Sequence, residues 1–294
     1  MNIIRSDVLG FCMGVRRAVE YARAEAKRGI PVYTTGPLVH NPKVLNELFK
    51  SGVNNLEKLP EDPKGCSFII RAHGISPSEE KDLRIKGVHI IDATCPIVKA
   101  SQLQAEDLSR TGYCLFLAGE PEHAEIRGIL GYAQSCGSPF CVVVNNALEA
   151  GKAAKKLYGI NSDSRTALIG QTTISEDEYG AIGEAVKLFF PNLEIKQTIC
   201  ASTTERQQAL RELLQKTDAV IIAGGKESAN TRRLFTIAKE SGKPCALVED
   251  GADIPPEFTS YGTVGLCAGA STPESIIDEI EKELLRQNIS RIPQ

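Results

Sequence analysis

The sequence predicts an α/β protein made of three copies of one structural unit, and three observations support this prediction. Short apolar runs alternate with amphipathic helical stretches along the 294 residues, which is typical of parallel strands joined by crossover helices. A cysteine recurs between an apolar run and a helical stretch, and polar loops follow each cysteine at regular spacing. The predicted strands include residues 32–34, 68–70, 115–117, 142–144, 167–169, 220–222 and 246–248.

Three cysteines occupy equivalent places in the repeat. Cys12, Cys95 and Cys200 each follow an apolar run and precede a helical stretch. Backbone N–H groups and the helix dipole favour a thiolate at such a place. The flanking apolar and helical segments are 3–9 and 15–27, 88–91 and 97–109, and 193–199 and 203–215.

Polar loops follow the strands of each copy. His40, His123 and Ser228 each lie 28 residues after the cysteine of their copy. A later strand in each copy ends in a second polar loop. Ligands bind at the carboxyl ends of strands in open α/β sheets, so we expect residues from all three copies to form one ligand site. The second loops carry His73, Thr172 and Ser271.

Composition excludes several classes of function. The net charge of −3, the absence of Trp and an aromatic content of 5% argue against a nucleic-acid binder. No apolar run approaches the roughly 20 residues of a membrane span. The first residues predict a strand and a turn, not a secretory signal, so we expect a cytoplasmic protein. Nine cysteines in that reducing compartment are not expected to form disulfides.

The three equivalent cysteines could hold a metal centre to which each copy contributes one ligand. Zinc with a bound water and a 4Fe–4S cluster with one iron lacking a protein ligand both remain open from spacing alone. No Cys-x-x-Cys pair is present, so a local zinc knuckle is not indicated. The sequence favours burial in the core for Cys114, Cys141 and Cys245; it gives no signal for Cys66 and Cys136 and leaves Cys267 open.

The polar loops indicate a site for an anion and a proton. Histidines become protonated beside a dianion, and Ser228, Asn230 and Ser271 precede helical runs whose N-termini favour phosphate. Glu125 would have a raised pKa if its loop were buried, and the Thr172 hydroxyl could relay its proton. Neither a Walker P-loop nor a Gly-x-Gly-x-x-Gly dinucleotide motif is present.

Nine short segments, in order along nearly the whole chain, form one pattern. The segments are GFCMGV (10–15), VHN (39–41), AHG (72–74), DATCP (92–96), HAE (123–125), QTT (171–173), CASTTERQ (200–207), SAN (228–230) and AGAS (268–271). Together they resemble the 4-hydroxy-3-methylbut-2-enyl diphosphate reductase (IspH/LytB) family. The resemblance implies the last step of non-mevalonate isoprenoid synthesis, a two-electron reductive dehydroxylation that gives isopentenyl and dimethylallyl diphosphate.

The resemblance implies a fold, a cofactor and site residues. The fold would be a pseudo-threefold cloverleaf of α/β domains around a central 4Fe–4S cluster. Glu125 would be the proton donor, and Thr172 would lie beside the substrate alcohol. The cluster ligands would be Cys12, Cys95 and Cys200, and the substrate-binding residues would be His40, His73, His123, Thr172, Ser228, Ala229, Asn230 and Ser271.

Three positions depart from the family pattern. Ala124 replaces a usual proline, Ala229 replaces a common phosphate-binding serine, and Cys267 replaces a common threonine. None of these changes removes an expected cluster ligand or the expected acid. The function implied by the resemblance is unchanged, and the effect of the three departures on substrate affinity and cluster lability stays open.

The domain boundaries and partners complete the expectations. We predict a first domain at 13–96, a second at 97–198, and a third at 199–285 with residues 1–12 leading into the centre; 286–294 form a C-terminal tail. An external ferredoxin or flavodoxin would supply electrons. The alternatives are a zinc-dependent hydrolase of a small phosphorylated substrate and a non-catalytic anion-binding protein with structural cysteines.

Overall fold

Three four-stranded parallel sheets form the fold, as the sequence predicts. The computed structural model describes residues 1–56, 63, 65–138 and 140–289. The strands are β1 (Asn2–Arg5), β2 (Val32–Thr35), β3 (Val53–Leu56), β4 (Ser67–Ile70), β5 (His89–Asp92), β6 (Cys114–Ala118), β7 (Cys141–Val144), β8 (Thr166–Gly170), β9 (Glu194–Ile195), β10 (Ala219–Ala223), β11 (Cys245–Val248) and β12 (Thr263–Ala268).

Helices follow most strands, as crossover connections between parallel strands require. Short 3₁₀ helices at Gly251–Asp253 and Pro256–Ser260 precede β12. The α-helices are α1 (Met13–Ala26), α2 (Pro42–Lys50), α3 (Pro77–Ile85), α4 (Pro96–Arg110), α5 (Ala124–Ser135), α6 (Ala147–Ile160), α7 (Glu176–Lys187), α8 (Ala201–Lys216), α9 (Ala229–Glu240) and α10 (Glu274–Ile289).

All three sheets have the same strand order, which confirms the threefold repeat. The orders are β3-β2-β4-β5, β7-β6-β8-β9 and β11-β10-β12-β1. The last strand in each order leads towards a cysteine, since β5, β9 and β1 precede Cys95, Cys200 and Cys12. The strand β1 therefore completes the third sheet. It pairs with β12, and Ile3 lies opposite Val264.

The described chain packs as two compact units. One unit contains Met1–Val19, Pro37–Lys50 and the residues from Ala201 onwards, and its sheet is the one completed by β1. The other contains Glu20–Gly36 and Ser51–Cys200, with the remaining two sheets. The boundaries at 13–96, 97–198 and 199–285 stay predictions. Helix α10 continues to Ile289, and residues 290–294 of the predicted tail lie outside the described residues.

Burial on both faces of the central strands holds the strand ends in place. In β10, Ile221 packs with Ile277 of α10 on one face, while Val220 and Ile222 pack with Leu210 of α8 on the other. Each of these side chains is fully buried, and such burial stabilises the fold by roughly 1.5–3 kcal/mol per side chain. The loops at the carboxyl ends of the strands are therefore anchored on rigid elements.

Two predicted strands are shorter than their apolar runs. The runs at 3–9 and 193–199 give strands of only four and two residues, β1 and β9. Beyond β9, side chains take part in hydrogen bonds that strand pairing would otherwise make. The Tyr179 hydroxyl donates to the Lys196 carbonyl, and Thr198 Oγ1 accepts the N–H of Gly170 in β8. The expected strand lengths were therefore wrong where side-chain bonds compete with backbone pairing.

Candidate functional site

The three cysteines of the repeat each lie at the start of a helix. Cys95 is the N-cap of α4, and the Cys12 carbonyl accepts the Arg16 N–H at 2.9 Å, as an N-cap carbonyl does. Cys200 directly precedes α8. All three are partly exposed thiols, and no disulfide joins any of the nine cysteines, which all fall in the described segments. Helix N-termini stabilise thiolates, so these residues suit metal ligation.

A buried carboxyl and a hydroxyl form a hydrogen-bonded pair in the second unit. Glu125 lies in the first turn of α5 and is 1% exposed. Its Oε1 accepts the Thr172 N–H at 2.6 Å, and its Oε2 accepts the Thr172 hydroxyl at 3.0 Å. Burial raises the pKa of Glu125 to about 7, against the opposing effect of the Thr172 hydrogen bonds. The carboxyl can therefore hold or release a proton near neutral pH.

Two histidines lie beside this pair. His123 is the N-cap of α5, and its Nδ1 accepts the Glu125 N–H at 3.3 Å. The ring of His73 meets the ring of His123 edge-on, with centroids 5.1 Å apart. Both imidazoles therefore lie within one loop cluster at the start of the helix that carries Glu125.

Backbone hydrogen bonds join two of the cysteines to the loops that carry these polar residues. The Cys95 N–H donates to the carbonyl of Ala72, the neighbour of His73, at 3.0 Å. The Cys200 N–H donates to the Thr172 carbonyl, also at 3.0 Å. Each thiol is thus fixed relative to a polar residue that the sequence assigned to the substrate site.

The first unit holds a second set of polar groups, at the carboxyl edge of its sheet. Ser228 is the N-cap of α9, and its Oγ accepts the Thr231 N–H. Asn230 Nδ2 and Ser271 Oγ are buried and have no hydrogen-bond partner among the described residues. A buried polar atom without a partner costs about 1–3 kcal/mol, so these two donors suit a bound ligand.

Cys12 and His40 lie with this second set. The Cys12 N–H donates to the carbonyl of Ala270, the neighbour of Ser271, at 3.1 Å. The His40 backbone packs so closely on Gly225 that a β-carbon there would lie 1.7 Å from the His40 carbonyl oxygen. The first unit thus brings together Cys12, His40, Ser228, Ala229, Asn230 and Ser271, and the second brings together His73, Cys95, His123, Glu125, Thr172 and Cys200.

The described residues contain no group of three or more His, Cys, Asp or Glu side chains placed to hold one metal ion. Cys12 lies in one unit, and Cys95 and Cys200 lie in the other. The assignment of all three cysteines to one metal centre therefore stays a prediction. Cys267, which the sequence left open, is buried in the core, where burial raises the pKa of its thiol to about 11.

Arg206 has no role that the sequence predicted, although it lies in the CASTTERQ segment (200–207). Arg206 is 2% exposed and lies on the buried face of α8 with Thr203 and Leu210. A signal was available, because helical spacing places position 206 on the same face as these neighbours. A charged residue on the buried face of a helix is rare unless it has partners.

The parallel α/β fold, the thiols at helix starts and the buried carboxyl are features that suit an enzyme with thiolate-bound metal and an acid. The chain belongs to the LytB protein family, whose sequence model matches residues 3–285. It is 43% identical over 293 residues to the 4-hydroxy-3-methylbut-2-enyl diphosphate reductase of Treponema denticola, with 97% of this chain and 99% of the relative covered. The enzyme of that name from Aquifex aeolicus is 38% identical, with 97% and 96% covered.

Two solved structures share the fold. One is an (E)-4-hydroxy-3-methyl-but-2-enyl diphosphate reductase described as the terminal enzyme of the non-mevalonate pathway, 38% identical with a TM-score of 0.71 over 97% of this chain and 99% of that one. The other, from Plasmodium falciparum, is 29% identical with a TM-score of 0.87 over 96% and 87%. The recognised resemblance is confirmed, and the zinc-hydrolase alternative is not supported. Family membership implies an iron–sulfur cluster.

Among the described residues, every helix is too short or too polar to cross a membrane.

Proposed function

We propose that this chain reduces (E)-4-hydroxy-3-methylbut-2-enyl diphosphate to isopentenyl and dimethylallyl diphosphate, the last step of the non-mevalonate pathway. The observation that carries this proposal is the family match across residues 3–285. The hydrogen-bonded pair of Glu125 and Thr172 gives it a chemical basis, since loss of a hydroxyl as water requires a proton donor. The overall change consumes two electrons and two protons and releases one water.

We propose Cys12, Cys95 and Cys200 as ligands of a 4Fe–4S cluster in which one iron has no protein ligand. Three thiols at equivalent helix starts, each partly exposed, are a suitable donor set for such a cluster. When bound, the cluster would pass two electrons from an external donor to the substrate and would offer a Lewis-acidic iron for the substrate hydroxyl.

The diphosphate group would bind to the polar strand-end loops. The N-terminus of α9 offers backbone N–H groups and a favourable dipole, and Ala229 can contribute its N–H although it has no hydroxyl. The partnerless donors of Asn230 and Ser271 provide further hydrogen bonds. The proposed set is His40, His73, His123, Thr172, Ser228, Ala229, Asn230 and Ser271.

Glu125 would protonate the departing hydroxyl oxygen. Its raised pKa leaves much of the carboxyl protonated at neutral pH, and Thr172 Oγ1 is the group hydrogen-bonded to it. The Thr172 hydroxyl can orient that carboxyl and pass its proton to a substrate oxygen. His123 holds the first turn of α5 through its contact with the Glu125 N–H.

Electrons would come from an external ferredoxin or flavodoxin in the cytoplasm. The absence of dinucleotide-binding motifs from the sequence supports a separate protein donor. The deciding experiment is an anaerobic assay of the reconstituted protein with a reduced electron carrier and the allylic alcohol diphosphate. Formation of the two five-carbon diphosphates supports the proposal, and a loaded protein that yields neither product overturns it.

We expect Ser271→Ala to weaken diphosphate binding roughly tenfold, because it removes a buried donor to a charged ligand. Titration calorimetry with dimethylallyl diphosphate under anaerobic conditions measures the change. Ser275→Ala is the matched control, because Ser275 is exposed on the first turn of α10. Equal affinities for the two variants would remove Ser271 from the site.

A further inference from the structure

The backbone pairing between β8 and the segment that leads to Cys200 is interrupted and then resumes. The Lys196 N–H donates to the Leu168 carbonyl at 3.0 Å, as a parallel ladder requires. Further along both segments, the Cys200 N–H donates to the Thr172 carbonyl, also at 3.0 Å and in the same register. The chain between these two bonds therefore leaves regular pairing without losing the register.

Two hydroxyl groups bind the partners of the interrupted step. A regular parallel ladder would join the Gly170 N–H to the Lys196 carbonyl. Instead, the Gly170 N–H donates to Thr198 Oγ1 at 2.8 Å. The Tyr179 hydroxyl lies 2.8 Å from the Lys196 carbonyl oxygen and 2.9 Å from that of Leu168, so it can donate to either. Side chains therefore satisfy both ends of the replaced backbone bond.

Both hydroxyl-bearing side chains are enclosed within the second unit. Thr198 is 4% exposed, and Tyr179, on α7, is 5% exposed. The Tyr179 ring reaches the ladder because Gly170 has no side chain, since a β-carbon there would lie 2.7 Å from the ring carbon Cε2. Hydrogen bonds are stronger in such a buried place than in water, so these two side chains fix the distance between β8 and the Cys200 segment.

The interruption makes the Thr172 N–H available to Glu125. Continued regular pairing would direct this N–H to the Thr198 carbonyl. It donates instead to Glu125 Oε1 at 2.6 Å, while the Thr172 hydroxyl donates to Oε2 at 3.0 Å. The Thr172 carbonyl accepts the Cys200 N–H, so one residue joins the proposed acid to a proposed cluster ligand.

The equivalent approach to Cys95 in the first copy is regular. There the Ala93 N–H donates to the Ile70 carbonyl, and the Cys95 N–H donates to the Ala72 carbonyl, both at 3.0 Å. These two bonds are consecutive steps of one backbone ladder. The interrupted step thus belongs to the copy in which the end of the strand binds the Glu125 carboxyl.

We propose that Thr198 and Tyr179 are positioning residues that hold the ladder open beside Thr172, so that Thr172 binds Glu125 while Cys200 keeps its register. The consequence for turnover rests on the proposed function. The effect on the backbone does not, because it follows from the hydrogen bonds of the two hydroxyls. The hydroxyl groups carry this role, and the methyl group and the ring only fill space.

Three variants test the two hydroxyls. Thr198→Val removes one hydroxyl and keeps the shape, Thr198→Ser keeps the hydroxyl, and Tyr179→Phe removes the other hydroxyl. Thr217→Val is the matched control, because Thr217 is 3% exposed and its hydroxyl donates to the Leu213 carbonyl in the other unit.

Two kinds of measurement are made on each protein. Amide hydrogen exchange at Thr172 and Cys200 is followed by NMR on the full chain before cluster reconstitution. After reconstitution, kcat is measured anaerobically as a function of pH, and the rate of cluster bleaching is measured in air. Circular dichroism monitors folding.

The variants without a hydroxyl should lose the protection of this backbone. In Thr198→Val and Tyr179→Phe, the Thr172 and Cys200 amides should exchange on the order of tenfold faster, and bleaching should accelerate by a similar factor. The kcat should fall roughly tenfold, because Glu125 is no longer oriented by the Thr172 N–H. Thr198→Ser should stay near the wild type, and Thr217→Val should match it at both amides.

The pH profile gives a readout that a purely structural role would not move. Burial raises the pKa of Glu125 to about 7, and the Thr172 hydrogen bonds oppose that rise. Weakening the bond from the Thr172 N–H should therefore raise this pKa further. The basic limb of the kcat profile should move to higher pH by about one unit in Thr198→Val and Tyr179→Phe.

Three results would overturn the proposal. The first is exchange, bleaching and a pH profile in Thr198→Val and Tyr179→Phe that match Thr217→Val. The second is a Thr198→Ser protein as impaired as Thr198→Val, which would assign the effect to the methyl group. The third is failure of both hydroxyl-free variants to fold while Thr217→Val folds, which would make the hydroxyls part of the core only. A reconstituted wild type that forms no product would instead contradict the proposed function and would leave the exchange result standing.

Discussion

Glu125→Gln is expected to lower turnover by roughly 10²–10⁴-fold while cluster content and diphosphate affinity stay near wild type. Glutamine keeps the shape of the side chain, and its one carbonyl oxygen can still accept one of the two hydrogen bonds from Thr172, but it cannot donate a proton as an acid. The measurement is steady-state kcat under anaerobic conditions, with iron analysis and product-binding titration on the same samples.

Glu122→Gln is the matched control for this change. Glu122 is an exposed carboxylate in the same loop, three residues before Glu125, and is expected to have no effect on turnover. A Glu125→Gln protein that turns over at the wild-type rate would show that another group donates the proton.

The raised pKa of Glu125 also predicts how stability depends on pH. The folded pKa is about 7 and the ordinary value is 4.5, so the folded state binds this proton more tightly than the unfolded state. The resulting stabilisation is fully present below pH 4.5 and is lost as pH rises through 7. Relative to Glu125→Gln, the wild type should lose about 3 kcal/mol of unfolding free energy between pH 4 and pH 8. Chemical denaturation at several pH values tests this, and a constant difference would contradict it.

Cys95→Ala is expected to abolish turnover through loss of the cluster. The reconstituted wild type should contain about four irons per chain, and the variant should retain close to none, because one of three proposed thiolate ligands is missing. Iron and sulfide analysis with visible absorption gives the measurement. Cys95 is the N-cap of α4 but makes no side-chain capping bond, so the helix itself should persist.

Cys136→Ala provides the comparison for the cysteine experiment. Cys136 follows α5, is partly exposed and has no proposed ligand role. Its removal should leave iron content and turnover unchanged. Full iron content in Cys95→Ala would exclude Cys95 from the ligand set, and a colourless wild type with one zinc would favour the rival metal chemistry.

Sequence reasoning could predict the repeat because its signals are local. Apolar runs such as 220–222 form strands that are buried on both faces, and the constant spacing from each cysteine to a polar loop reflects one strand order used three times. The sequence does not show whether Glu125 is buried, so its raised pKa could be predicted only on the condition that its loop is buried. Whether a loop carboxyl is enclosed depends on Thr172, which is distant in sequence and reaches it only through the fold.

Other features were beyond the sequence for the same physical reason. Helical spacing places Arg206 on the buried face of α8, but it does not show that the carbonyls of Val8, Gly10 and Ala268 are its acceptors. The early end of β9 likewise depends on hydroxyl groups that compete with strand pairing. Long-range acceptors of this kind leave no periodic pattern in the chain.

The pairing of β1 with β12 has a consequence for folding. Ile3 lies beside Val264, so β1 meets its partner strand only after the long stretch of chain between the two strands has been synthesised. Such distant partners slow the search for the native state. Cys12, seven residues beyond this pairing strand, is therefore expected to reach its native surroundings late, and insertion of iron and sulfide at the proposed ligands should follow the synthesis of β12.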